Sequence, residues 1–178
     1  MSLRIALLGT LAFTGPASGY ELAKQFDSSV NHIWQAKHSQ IYPELAKMVK
    51  SGAVTVEEVG DGRGRKIYTV TDAGREEITR WACDGDPHRN VRDETALRGF
   101  LVTLLPPAQG AAVMRAEEDR FAARLAEMEA LKAEVEARTT AQSPRFGLYA
   151  IDLGLRTHQM LRQWAADTAE DLERRAGA

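Results

Sequence analysis

Two short stretches hold most of the side chains that could do chemistry. The first, Lys37-His38-Ser39-Gln40-Ile41-Tyr42-Pro43, gathers a cation, a hydroxyl, a carboxamide and a phenol within two helical turns. Ser39 and Gln40 are residue types that hydrogen-bond base edges or phosphates. Tyr42 can reach a phosphate through its hydroxyl, and Lys37 and Lys47 can neutralise phosphate charge. The second stretch, Gly60-Asp61-Gly62-Arg63-Gly64-Arg65-Lys66, sets the cations Arg63, Arg65 and Lys66 on a glycine-rich loop. Such a loop can follow a phosphate backbone or enter a minor groove. Singly, each of these residues is an ordinary solvated group. Together they point to double-stranded DNA.

Catalytic chemistry has less support. His32, His38, His88 and His158 have no metal-ligand spacing, and read as surface or capping residues. The glycines at 60–64 are too closely set for a phosphate-binding loop and precede a β-rich segment rather than a helix. Cys83 is the single cysteine, which excludes a disulfide framework and a multi-cysteine metal site and fits a reducing compartment, most simply the cytoplasm. No enzyme activity, cofactor or metal is expected. No apolar run approaches the roughly 20 residues of a membrane helix. Residues 4–19 loosely imitate a signal peptide, but the elements that follow need this segment as a buried helix.

The elements that must position these groups follow from periodicity. The chain has 178 residues, 44% hydrophobic and 27% charged, with a net charge of −2, which suits a globular protein and excludes a uniformly basic coat. The charge is slightly asymmetric, positive over residues 1–83 and negative over 84–178. Residues 3–13 are apolar almost all round and form a helix buried on most sides. Gly15-Pro16 breaks it, and Ser18 with Glu21 makes a capping box for a helix over 19–29, with Leu22, Phe26 and Val30 on one face. A third helix over about 36–50 buries Ile41, Leu45 and Met48. Pro43 places its start close to residue 39, near enough to lose little or no hydrogen bond. Gly52 ends it. Alternation at 54–58 and β-rich residues at 67–70 flank the glycine loop as a hairpin. Thr71-Asp72 opens a helix carrying Ile78 and Trp81, which runs out at Gly85-Asp86-Pro87.

The remainder is helical. Leu97, Phe100, Leu101, Leu104 and Leu105 form an apolar stripe stopped by Pro106-Pro107. Residues 108–138 carry Phe121, Leu125, Met128, Leu131 and Val135 as a coiled-coil-like seam. Pro144 starts a last helix over about 145–174 with two apolar rows. One is Tyr149, Leu153, Met160 and Trp164; the other is Leu148, Ile151 and Leu155. A helix apolar on two sides needs cover from two directions, so a second copy of the chain is expected to supply one of them, at Leu148, Leu153, Leu155, Met160 and Trp164. Trp34, Trp81 and Trp164 read as core aromatics, with Trp164 the first residue to test should an aromatic effector bind. The expected fold is mainly α with a small β-hairpin: a winged helix-turn-helix domain over 1–84, then an antiparallel helical dimerisation domain over 90–178.

Several residues in this frame are familiar. The run Trp34, Ser39-Gln40-Ile41-Tyr42-Pro43-Glu44-Leu45, Val49 and Gly52-Ala53-Val54, followed by Gly62-Arg63, Arg65-Lys66, Tyr68-Thr69-Val70-Thr71 and Gly74, resembles the PadR family of bacterial transcriptional regulators. Ile5-Ala6-Leu7-Leu8-Gly9, Gly15 and Ser18-Gly19-Tyr20-Glu21-Leu22 are similar to that family's first two helices. The helical tail resembles the subfamily with a virulence-activator-α-type C-terminal domain. The resemblance implies a homodimer gripping a pseudo-palindromic operator with two wings, mostly in repression and in several members released by a small ligand. His38 and Ser39-Gln40 stand where many members carry Gly-Thr, so no operator sequence transfers. The alternatives are an activator with the same chemistry on DNA, and a winged-helix adaptor that binds protein.

Overall fold

The structure is a computed structural model that describes residues 2–29, 37–60, 64–84, 93–138 and 147–177. It divides into two compact units, Met1–Pro87 and His88–Ala178. Val30, His32, Trp34, Arg63, the linker 85–87, His88 and Pro144, all singled out in the sequence, lie outside the described residues.

The first unit runs α1 (Ser2–Thr14), β1 (Ala17–Ser18), α2 (Gly19–Ser29), α3 (His38–Lys50), β2 (Val54–Val59), β3 (Arg65–Val70) and α4 (Asp72–Asp84). Its core joins Leu7, Leu8 and Leu11 of α1, Leu22 and Phe26 of α2, and Ile41, Leu45 and Met48 of α3 under Val54 and Val70 of the sheet. Leu22 and Phe26 of the stripe expected on α2, and the whole stripe expected on α3, are thus buried. The Ser18–Glu21 box forms: Ser18 donates its N–H (2.9 Å) and hydroxyl (2.7 Å) to Glu21 Oε2. Arg4 of α1 makes a two-pronged bond to Glu77 of α4 at 2.5 and 2.8 Å and also reaches Ser51 Oγ at the end of α3.

Three features depart from expectation. The hairpin is two strands of a three-stranded antiparallel sheet in the order β1-β3-β2, because Ala17 and Ser18 pair with Tyr68 and Ile67. Two residues are too short to show strand alternation, so no pattern announced β1. Trp81 is 42% exposed and is not a core aromatic. Pro43 sits on the second turn of α3, where a residue with an N–H would bond the Ser39 carbonyl, so that one helical bond is forgone.

The join between α3 and α4 is tight. Gly52, at φ +76°, turns the chain after α3. Thr71 then donates its N–H to Ala53 O (3.1 Å) and its hydroxyl to Gly52 O (2.7 Å), while its oxygen accepts the Gly74 N–H at 3.1 Å. Gly74 is buried directly against the Ala53 carbonyl.

The second unit comprises α5 (Glu94–Leu101), a 3-10 turn over Val102–Leu104, α6 (Pro107–Arg138) and α7 (Leu148–Ala176). Asp93 caps α5 by accepting from Thr95 N and Ala96 N. Contacts between α6 and α7 run in opposite chain order, Gly110 with Leu172, Phe121 with His158 and Met128 with Gly154, so the two helices form an antiparallel hairpin. Met114, Ala165 and Ala169 are fully buried at its core. The stripe on α5 does not face inward: Leu97, Phe100, Leu101 and Leu104 are all exposed. Of the two rows on α7, Ile151 is buried and Leu148 and Leu155 half-buried, while Tyr149, Leu153 and Met160 are exposed and Trp164 packs against Gly99.

Candidate nucleic-acid interface

Burial of Ile41, Leu45 and Met48 fixes which side of α3 faces water. The exposed side carries Ser39, Gln40, Tyr42, Pro43 and Lys47, with Lys37 just before the helix. Gln40 has a second task. Its Oε1 accepts the Lys37 N–H at 2.9 Å, so it folds back over the helix start, which leaves its amide NH2 and the second lone pair of Oε1 for a base. Lys47 Nζ meets Glu44 at 3.2 Å one turn away.

Tyr42 lies with its ring edge over the start of α2. A Cβ on Gly19 would meet Tyr42 Cε1 at 2.7 Å, so glycine at this position is what admits the ring. The pairing of β1 with β3 brings the wing to the same place. Lys66 faces Glu58 across the hairpin, Nζ to Oε1 at 3.5 Å, and Arg65 reaches back to Glu21 of α2 at 2.6 Å. The Glu21 carboxyl is lowered to about 2, first by the Ser18 backbone N–H, then by the Ser18 hydroxyl and the Arg65 guanidinium.

These elements enclose a groove of about 700 Å³ whose walls include Tyr20, Tyr42 and Tyr68 together with Arg65 and Lys66. Of the residues expected to meet DNA, Tyr42, Arg65 and Lys66 line this groove. Lys37, Ser39, Gln40 and Lys47 continue along the open face of α3, and Arg63 is outside the described residues. Tyr20, 68% exposed, and half-buried Tyr68 were not foreseen as site residues. They are far from Tyr42 in sequence, and only the unforeseen β1–β3 pairing collects the three hydroxyl-bearing rings. Three phenols and two cations make a surface suited to phosphate oxygens, with the Glu21 carboxylate of the capped α2 start also in its wall.

In the second unit, a cavity of about 600 Å³ opens beside Trp164, bounded by Gly99, Val102, Met160, Leu161 and Leu172. Among the described residues, no group of three or more His, Cys, Asp or Glu could hold a metal, and no helix is long and apolar enough to cross a membrane.

Comparison with known proteins bears on the same two units. The family model described as Transcriptional regulator PadR-like family matches residues 7–80, and that described as Virulence activator alpha C-term matches residues 91–173. The chain is 32% identical over 156 residues to the negative transcriptional regulator PadR of Bacillus subtilis, spanning 84% of this chain and 85% of that protein. The crystal structure of Bacillus subtilis PadR with operator DNA superposes with a TM-score of 0.82 at 28% identity, covering 96% of this chain and 97% of that one. The same relative with p-coumaric acid gives 0.82 at 28% identity, covering 97% and 99%. The Vibrio cholerae virulence activator AphA gives 0.74 at 27% identity, covering 98% and 99%.

Proposed function

The chain belongs to the PadR-like family of DNA-binding transcriptional regulators, and on that premise we propose that it is a repressor that binds a pseudo-palindromic operator as a homodimer. In this reading residues 1–84 bind DNA and residues 90–178 dimerise. The open face of α3 enters the major groove, with Lys37, Ser39, Gln40, Tyr42 and Lys47 meeting bases and phosphates, and the wing presents Arg63, Arg65 and Lys66 to the backbone or minor groove. The observation that carries the reading is the placement of α3's exposed polar face beside the wing cations around one groove.

Dimerisation draws support from the exposed apolar side chains of α7, Tyr149, Leu153 and Met160, which have no cover within their own unit. With Leu148, Leu155 and Trp164 they form the surface for the second copy. Repression is favoured because a relative spanning most of the chain is a negative regulator. Activation is the second reading, since a relative of similar fold is named a virulence activator. A promoter–reporter fusion separates the two: deleting the gene raises the reporter under repression and lowers it under activation. An aromatic small-molecule effector also belongs to the proposal. It is supported by the p-coumaric acid complex of a relative and by the cavity beside Trp164. The DNA-bound protein works in the cytoplasm.

The direct test is gel-shift binding to the DNA upstream of the protein's own gene at two salt concentrations. Wild-type protein should bind with strong salt dependence. Replacing Arg65 and Lys66 together with alanine should weaken binding to every duplex and flatten the slope of log K against log salt by about 1 to 2. Unchanged binding by this double variant would remove the wing from the interface. Q40A gives a second, smaller prediction. It should cost about 0.5–1 kcal/mol by freeing the Lys37 N–H, read as a lower Tm, and should alter base preference in a binding-site selection. An unaltered preference would take Gln40 out of the base-reading set.

A further inference from the structure

Each described cation at the groove, and Lys47 beside it, has a carboxylate partner, but the three carboxylates differ in their freedom to leave. Glu44 holds Lys47 within one turn of α3, and Glu58 faces Lys66 across the hairpin. Simple rotamer changes separate either pair when a phosphate arrives. Glu21 has no such freedom. Its Oε2 is fastened by the Ser18 N–H and hydroxyl, at 2.9 and 2.7 Å, which leaves Oε1 to Arg65 Nη2 at 2.6 Å. Ser18 is itself anchored, buried and paired with Ile67 in the sheet. A phosphate approaching Arg65 therefore meets a carboxylate that cannot swing aside.

We propose that Glu21 is a specificity-determining residue of the DNA interface: moored by the Ser18 cap, its carboxylate holds Arg65 and discounts that arginine's attraction for phosphate. The inference rests on the DNA-interface reading above. From a distance, Arg65 with its fixed counter-charge acts as a dipole rather than a full positive charge, so the sequence-independent part of DNA binding is lowered. Close to DNA the pair behaves differently. An arginine has five N–H donors, and the bond to Glu21 uses one on Nη2, so the others, held in a fixed orientation, can still meet a phosphate in the right place. A correct site then draws on an arginine already positioned, whereas a random site meets the repulsion. Specificity is a difference of affinities, and a fixed repulsive group is one way to widen it.

The substitution that tests this is E21Q. Its amide carbonyl can still accept from the Ser18 N–H, so the α2 cap persists, but nothing holds Arg65. Binding is followed by fluorescence anisotropy over a range of salt. The probes are a duplex of scrambled sequence and an operator duplex obtained by in vitro selection. E21Q should bind the scrambled duplex on the order of 3–10 times more tightly, with a salt slope steeper by about 0.9. The operator should gain less, so the ratio of operator to scrambled affinity falls. Because Glu21 acts through Arg65, E21Q in an R65A background should change scrambled-duplex affinity by less than about twofold. S18A, which removes one mooring bond and keeps the charge, should move scrambled binding the same way by a smaller factor, and it serves if E21Q loses its helical circular dichroism.

Scrambled-duplex binding by E21Q that is unchanged or weaker overturns the proposal. So does an equal gain in the R65A background, which would show the bare charge of Glu21 acting alone. If R65A itself leaves both affinity and salt slope untouched, the failure lies with the wing as a DNA contact, and the proposal goes with it.

Discussion

Replacing Gly74 with alanine is expected to destabilise the first unit by about 3 kcal/mol, lowering its Tm by more than about 10 °C. A Cβ at this position would press into the Ala53 carbonyl oxygen and approach Val70 Cγ2 at 2.9 Å. The carbonyl cannot yield, because it accepts the Thr71 N–H, and Thr71 in turn bonds Gly52 and caps α4 through Gly74. The clash can be relieved only by lifting α4 off the α3–β2 turn, which strains the Arg4–Glu77 bond and uncovers the Val54–Val70 end of the core. Gly9 supplies the control. It is also a helical glycine, but a Cβ there meets nothing within 4 Å, so G9A should be neutral or stabilising by up to about 1 kcal/mol, as expected for a helix interior. Thermal unfolding followed by circular dichroism reads both. A G74A protein as stable as wild type would mean that α4 does not pack on Ala53 as described.

The second large effect is expected from L153E with M160E on α7. Both side chains are well over half exposed within their own chain, so charging them leaves the α6–α7 core of Met114, Ala165 and Ala169 intact. If a second copy covers this row, two carboxylates buried in an apolar contact will split the dimer. The consequence for DNA binding is larger than any single contact could give. Two half-sites bound by one dimer profit from effective concentration, and losing that linkage costs on the order of 10² to 10⁴ in affinity. Light scattering should show the mass halving, with operator binding lost at concentrations that saturate wild type and helical content unchanged. A variant that keeps the wild-type mass places the interface elsewhere. A wild-type monomer removes the dimer from the mechanism.

What could be read from sequence divides along physical lines. The stripe Ile41, Leu45 and Met48 and the pair Ser18–Glu21 are local signals: a helical period and a three-residue spacing each determine one geometry, and both are present. The apolar character of Leu97, Phe100, Leu101 and Leu104 was equally legible, but periodicity tells that a face is apolar and not what covers it, so their exposure was not. Trp81 was misread for a similar reason, since residue type is a weak guide to burial at a helix end. β1 left no trace, because two residues cannot alternate, and with it went the tyrosine-lined side of the groove. Gln40 was read for its chemistry toward a partner, whereas the structure also gives it the Lys37 N–H. The ion pairs of Arg65 and Lys66 depend on which elements meet, while that of Lys47 with Glu44 is local to one turn of α3. A list of cations in sequence therefore overstates the free positive charge at the site.

The strand order β1-β3-β2 bears on solubility as well as on recognition. With β3 in the middle and β1 only two residues long, β2 is left with one strand neighbour among the described residues, and it is exposed at Thr55 and from Glu57 to Val59. An open edge rich in valine is a template for pairing with the edge of another molecule, the first step toward aggregates. Glu57 and Glu58, both exposed, set two like charges on that edge, and a neighbouring copy offering the same strand would bring the same charges against them. Glu58, which faces Lys66 across the hairpin, thus puts an exposed charge on a strand whose other residues include three valines, the kind of placement that blunts edge-to-edge pairing.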